Sequence, residues 1–155
     1  DLTKLKIRMD IIPVSIAIAQ AANESGWGTS RFALEGNALF GQWTWSKKGI
    51  SPKNKDPDKT HKVLQFQVLK ASVRAYKNNL NTHNAYKEFR EARARLREDG
   101  KKIIGLELTK FLGNYAATGK EYIKIIELII EQNSLTDFDN ASLLPTRSTT
   151  GDVAL

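Results

Sequence analysis

At 155 residues, 41% hydrophobic and 8% aromatic, the chain is long enough to bury one sizeable core and is expected to fold as a single domain. It has no cysteine, which excludes disulfides and thiolate metal centres, and no run of about 18 apolar residues, so no membrane span is expected. The formal net charge of +7 is concentrated between residues 47 and 102, which hold 16 basic and 6 acidic residues. Such a face suits an anionic partner, among them nucleic acid, lipid or the acidic polymers of a cell wall, or serves only solvation.

Along the chain, Leu2, Leu5 and Met9 stand at helical spacing before Pro13, giving a short lead-in helix or turn over residues 1–12. After Pro13, the spacing of Val14, Ala17, Ile18, Ala21 and Ala22 predicts a helix with one apolar face. Gly26 and Gly28 around Trp27 end it and leave Glu24 in its last turn. The partial negative charge of a helix C-terminus disfavours an ionised carboxylate, and the neighbouring Trp27 ring is expected to exclude water. Both effects raise the Glu24 pKa, as a general acid requires. A lone Glu at a helix end is more often a solvated residue, so the assignment depends on context.

Ser30 to Leu34 allows one more helical turn, stopped by Gly36. Asn37 to Trp45 reads as extended or irregular chain carrying large rings. Trp43 and Trp45 would share one face of a strand and offer a stacking surface for a sugar, with at least one ring of this stretch expected in the core. Residues 46–60, rich in Lys, Pro and Asp, read as a surface loop or hairpin tip, and the alternation from Val63 to Val68 as a short returning strand.

Helices follow at Leu69–Leu80 and from Tyr86 to Leu96, the second with Tyr86, Phe89, Ala92 and Leu96 buried. Arg90, Arg93, Arg95 and Arg97 are expected around its outside, paired with Glu88, Glu91 and Glu98. No aromatic interleaving accompanies these arginines, so nucleic acid is not expected as a partner. A short helix at Ile103–Leu112 and a turn from Tyr115 to Tyr122 lead to a strongly apolar helix, Glu121–Gln132, which must be central. Beyond Asn133 the composition reads as a tail or linker, with one turn of helix near Asn140 to Leu144. His61 and His83 lack a partner at ligand spacing and are read as surface or capping residues. No metal and no cofactor are expected.

The runs Ala19-Gln20-Ala21-Ala22-Asn23-Glu24-Ser25-Gly26-Trp27-Gly28, Ser30-Arg31-Phe32-Ala33 and Gly36-Asn37-Ala38-Leu39-Phe40-Gly41-Gln42-Trp43 resemble the glucosaminidase domain of glycoside hydrolase family 73. Ser72–Tyr76, Asn79–His83, Tyr86 and the Tyr115 to Tyr122 segment extend the likeness, which is strongest toward the Bax-type, FlgJ-related members. The resemblance implies a mostly α, lysozyme-like domain over residues 1–133, with a small β-hairpin lobe beside its cleft and a tail over 134–155. It implies an endo-β-N-acetylglucosaminidase that cuts the β-1,4 bond after N-acetylglucosamine in bacterial cell-wall glycan, working in the envelope or periplasm on peptidoglycan strands.

In that reading Glu24 is the general acid, and Tyr115 matches a family Tyr that binds sugar or steadies the reacting centre. Phe40, Gln42, Trp43 and Trp45 would line the sugar sites. Asn37 and Tyr122 belong to the same set, with a turn-fixing role favoured for Asn37 and a structural one for Tyr122. The sequence departs from the family pattern where a second carboxylate is often found. Asp56 and Asp58 are the only acidic residues between Glu35 and Glu88, which leaves either one of them or the substrate's own N-acetyl group to complete the reaction. The competing readings are a lytic transglycosylase or muramidase on the same fold, and an inactive wall-binding module.

Overall fold

The computed structural model describes residues 1–44, 49–51, 62–142 and 144. In chain order these form α1 (Leu2–Met9), α2 (Val14–Ser25), α3 (Arg31–Gly36), β1 (Trp43–Thr44), β2 (Lys62–Val63), α4 (Leu69–Thr82), α5 (Lys87–Glu98), α6 (Gly105–Leu108) and α7 (Lys120–Gln132). Short 3-10 turns occupy Asn84–Tyr86, Thr109–Phe111 and Leu135–Asn140. The domain is mostly helical with a small β lobe, as expected from the sequence.

The core joins α2, α4, α5 and α7 through Ile16, Leu80, Phe89, Leu112, Ile126 and Ile130, all fully buried. The α2 helix has Pro13 at its N-cap and no side-chain cap of its own. One of its free N–H groups, that of Ser15, is instead met from the far end of the chain. Asp139 accepts from Ser15 N (2.8 Å) and Ser15 Oγ (2.8 Å), and also from Gly105 N (2.7 Å). A Cβ on Gly105 would stand 2.0 Å from Ser15 Oγ, so only glycine lets α6 begin this close to α2. The Leu135–Asn140 turn packs on α2 and α7, so the segment read from sequence as the start of a tail is built into the domain through Asn140.

The β lobe is held by a few backbone bonds. Trp43 pairs with Val63 and Thr44 with Lys62 in antiparallel register, and Ile50 bridges to Val63. The expected strand from Val63 to Val68 is cut to two residues, although Leu64 N still donates to Gln42 O and Phe66 N to Gly36 O, both at 2.8 Å. The proposed loop aspartates Asp56 and Asp58, together with His61 and Trp45, lie outside the described residues.

Two expectations about helix faces are corrected. The buried side of α2 is Ser15, Ile16, Ala19, Gln20 and Ala22, with Val14 and Ile18 more than a third exposed. The buried face thus includes a glutamine that apolar periodicity alone passes over. On α5, Arg90 and Arg93 point inward rather than around the outside. Arg93, with no exposure, donates to Ile7 O (2.7 Å), Ile11 O and Asn81 Oδ1 (2.8 Å), and its Nε lies 3.7 Å from Asp10. Arg90 donates to Leu80 O and His83 O. These bonds fasten the α1 end and the α4 C-terminus to α5. A planar five-donor group can satisfy carbonyls that no neighbouring N–H reaches. His83 caps the turn that follows α4, its Nδ1 accepting from Ala85 N, as its place in the sequence suggested.

Candidate active site

Glu24 lies in the last turn of α2, which ends on Gly26 in the left-handed conformation at φ +57°. Gly26 N–H and Trp27 N–H both turn back to Ala22 O, and Trp27 and Gly28 continue at positive φ. Ser25 locks this reversal by donating to Ala21 O while accepting from Gly28 N (2.8 Å). The carboxyl group is thereby fixed at the negative end of the helix dipole.

It opens into a cavity of about 400 Å³ walled by Phe40, Gly41, Gln42, Tyr86 and Tyr115 among others. The approach of the Phe40–Gln42 segment depends on Gly41, at φ +59°, where a Cβ would stand 3.2 Å from Glu24 Oε2. Glycine meets both demands, a left-handed backbone and a close pass over the carboxylate.

Burial pushes the Glu24 pKa up, and hydrogen bonds from Asn23 and Tyr122 pull it only partly back, so the group stays above its ordinary value. Asn23 Nδ2 donates to Oε1 at 3.2 Å. The Tyr122 hydroxyl is itself supported from behind. Gln20 Nε2 donates to Tyr122 Oη (2.7 Å), and Gln20 Oε1 accepts from the Tyr76 hydroxyl (2.6 Å). Because the Tyr122 oxygen already accepts from Gln20, its single proton is left for Glu24. Burial, reinforced by the Glu24 charge and Tyr86, drives the Tyr115 hydroxyl far above the usual tyrosine range, so it remains a donor. It donates to Phe40 O at 3.1 Å.

The residues singled out by sequence are distributed unevenly. Glu24, Gln42 and Tyr115 meet around the cavity. Phe40 contributes its backbone there, whereas its ring is 4% exposed and stacked on Tyr76 at 3.9 Å, so it is a core ring rather than a sugar platform. Tyr122, 3% exposed and stacked on Tyr115, reaches the site only through its hydroxyl. Asn37 caps α3 at φ +50° and donates to Phe66 O (3.0 Å), tying α3 to the chain that follows β2, and it is not among the residues lining the Glu24 cavity. Trp43 is placed by its backbone in β1. Trp27 does not wall the Glu24 cavity as expected: it follows the left-handed turn, is 63% exposed, and the cavity is lined by Gly41, Tyr86 and Tyr115 instead.

Sequence reasoning missed Gln20, Asn23, Gly41, Tyr76 and Asn79 as site residues. Gln20 left a signal, being a long polar side chain among alanines within an apolar helix. A larger groove of about 570 Å³ between α1 and α5 has mainly apolar walls; its Asp10 is held by Arg93 and Arg97, and its other carboxylate, Glu98, is exposed to solvent rather than enclosed as Glu24 is. Among the described residues no group of three His, Cys, Asp or Glu side chains is placed to hold a metal ion, and no helix is long and apolar enough to cross a membrane.

Comparison with known proteins bears on this geometry. Residues 1–135 match the family model Glucosaminidase, described as mannosyl-glycoprotein endo-beta-N-acetylglucosaminidase. The chain is 38% identical over 126 residues to protein bax of Escherichia coli strain K12, an alignment covering 81% of this chain and 44% of that protein. The chain therefore spans less than half the length of this relative. No solved structure matches it. With the family model covering nearly the whole described domain and Glu24 set in a walled cavity, the chain belongs to the glucosaminidase family of glycoside hydrolases.

Proposed function

We propose that this domain hydrolyses the β-1,4 bond after N-acetylglucosamine in bacterial cell-wall glycan, in the envelope or periplasm, with Glu24 as general acid. The observation that carries the proposal is the Glu24 environment: a carboxyl group at a helix C-terminus, half-buried among tyrosines, with its pKa raised. A protonated carboxyl can donate to the departing glycosidic oxygen as the C1–O bond breaks.

Among the described residues lining the cavity, Glu24 is the one carboxylate. Of the two routes left by the sequence, Asp56 or Asp58 and the substrate itself, we propose the second: the substrate's own acetamido oxygen bonds to C1 as the leaving group departs with the Glu24 proton. The ionised Glu24 then takes a proton from water as that water attacks C1 and reopens the cyclic intermediate. The configuration at C1 is retained. Tyr115 holds the Phe40–Gln42 wall through its bond to Phe40 O and faces the same space as Glu24. Gln42 supplies an amide to a sugar hydroxyl or acetamido group, and its Oε1 is buried without a hydrogen-bond partner among the described residues.

Mass spectrometry of the soluble products from purified cell-wall glycan, with the wild type and Glu24→Gln, tests the proposal. Fragments with reducing N-acetylglucosamine ends, absent with the variant, are the expected result. Reducing muramic ends would make the domain a muramidase, and anhydro ends a lytic transglycosylase. No fragments from either protein, with binding retained, would leave a wall-binding module.

A further inference from the structure

The helix α1 turns its apolar side away from the domain. At about 100° per residue, Leu2, Leu5 and Met9 fall within one arc of about 60°, and all three are more than half exposed. Ile7, on the opposite side, is the least exposed residue of the helix. Lys6 and Arg8 flank the arc on its two edges. Met9 stands between two hollows. One is the apolar groove against α5, and the other is a space of about 250 Å³ that Met9 lines with Arg8, Arg74 and Lys77. The arc is thus a ridge with cations beyond it.

The charge around this ridge is of one sign. Three Lys or Arg residues stand in α1 and three in α4, and neither helix contains Asp or Glu. Lys6, Arg8, Arg74 and Lys77 are exposed, and none forms an ion pair among the described residues. Of the neighbouring carboxylates, Asp1 pairs with Lys4 and Asp10 with Arg93 and Arg97, while Glu98 stands in solvent on the α5 side. The exposed apolar residues of α7, Ile125 and Leu128, differ, because their helix also carries Glu121, Glu127 and Glu131.

We propose that α1 and the adjoining edge of α4 dock the domain on an anionic phospholipid surface. Leu2, Leu5 and Met9 enter the headgroup boundary, and Lys6, Arg8, Arg74 and Lys77 meet lipid phosphates. Docking at a bilayer interface combines an exposed apolar face with cations at its rims, as this ridge does. A soluble polyanion matches the cations but offers nothing to the three apolar side chains. A second copy fits worse, since a two-fold contact through this face sets the same four cations against their own kind. On α4, Ala75 and Thr82 face the space beside Gln42, whereas Arg74 and Lys77 line the one shared with α1, so docking here leaves the Glu24 cavity open. The docking does not depend on Glu24 being a catalyst.

The test is co-sedimentation of the whole chain with vesicles of phosphatidylglycerol and phosphatidylcholine in about equal parts, and with vesicles of phosphatidylcholine alone. Binding to the anionic vesicles is expected to be at least about tenfold tighter and to weaken in high salt. Leu5→Gln with Met9→Gln, and separately Arg74→Gln with Lys77→Gln, should each lower it about tenfold, with circular dichroism and the urea midpoint unchanged. Because the chain has no cysteine, Met9→Cys can carry a polarity-sensitive dye at that one site. Its emission should shift to the blue on anionic vesicles, whereas the same dye at Leu128→Cys should not shift.

Equal binding to both kinds of vesicle, or to neither, overturns the proposal. So does a loss confined to the Arg74 and Lys77 pair with an unshifted dye at Met9, which describes a surface that reads charge alone. A dye at Leu128→Cys that shifts as far as the one at Met9 overturns it as well. A dimer that Leu5→Gln with Met9→Gln dissociates, in a chain that ignores vesicles, assigns the ridge to a second copy instead. If either variant pair unfolds, the two dye positions decide.

Discussion

Among the charged groups withdrawn from water, Arg93 and Glu24 are treated in opposite ways. Arg93 has no exposure, yet its donors meet two carbonyls, Asn81 and the Asp10 carboxylate. Burial lowers its pKa to about 10, offset in part by the Asp10 charge, so it stays charged at neutral pH. Glu24 is less deeply buried but has only Asn23 and Tyr122 to favour its charged form, and its pKa rises. The first arrangement fastens three helices; the second keeps a proton available. A buried charge that is fully partnered serves the fold, and one left short of partners serves chemistry.

The sharpest way to separate these roles is substitution. Glu24→Gln should lower kcat/KM on cell-wall glycan by about 10²- to 10⁴-fold, the usual worth of a general acid. Its stability at pH 7 should equal or exceed that of the wild type. The sign follows from linkage: a carboxyl whose folded pKa is raised binds its proton more tightly when folded, so its contribution to stability falls as pH rises through that value. Glutamine is free of that loss, and the advantage of the variant in a urea titration should disappear on the acid side of the ordinary Glu pKa.

Arg93→Met should do the reverse, costing about 3 kcal/mol in urea unfolding by stranding Asn81 Oδ1 and two carbonyls and leaving Asp10 to Arg97 alone, with kcat per folded molecule retained. Asp139→Asn comes next, with a loss of about 1–2 kcal/mol from the weakened cap of α2 and little change in activity.

Gln20→Met tests the support behind the acid. Without its amide, the Tyr122 proton is no longer steered toward Glu24, a donor to the carboxylate weakens, and the Glu24 pKa rises. The alkaline limb of the kcat/KM profile should move up by about half a unit to one unit. A loss of activity with an unmoved limb would make Gln20 a packing residue.

Smallest is the acid limb of stability. Burial pushes the Asp10 pKa up, but the bond to Arg97, the Ile11 N–H and the charges of Arg93 and Arg97 outweigh it and hold the group below its ordinary value. Its stabilising contribution is present above the ordinary Asp pKa and is lost as pH falls through the lowered one. In Arg93→Met that part of the acid-induced loss should shrink.

Much of this architecture was legible because its signals are local. The Gly26 and Gly28 stop placed Glu24 in the last turn of α2, and apolar periodicity located α7 to within one residue of its observed start. Glu24, Gln42 and Tyr115 were read from the motif and do meet at one cavity. What stayed hidden was set by partners distant in sequence. Asp139 caps a helix 124 residues away, and nothing in a serine- and aspartate-rich stretch announces that contact. Arg93 was placed outside because helical spacing beside Glu residues suggests surface pairs, whereas its acceptors lie 82 and 86 residues upstream. Trp27 was misjudged for a backbone reason, since a ring following a glycine stop goes where the left-handed turn sends it.

The most direct test of the central claim is a carbon-13 NMR titration of the Glu24 side-chain carboxyl in the free domain, assigned by its absence in Glu24→Gln. The account predicts a midpoint above the ordinary glutamate value, moving further up in Gln20→Met and lying close to the alkaline limb of kcat/KM. A midpoint at or below the ordinary value would contradict it, because the pocket would then hold a carboxylate where the chemistry needs an acid.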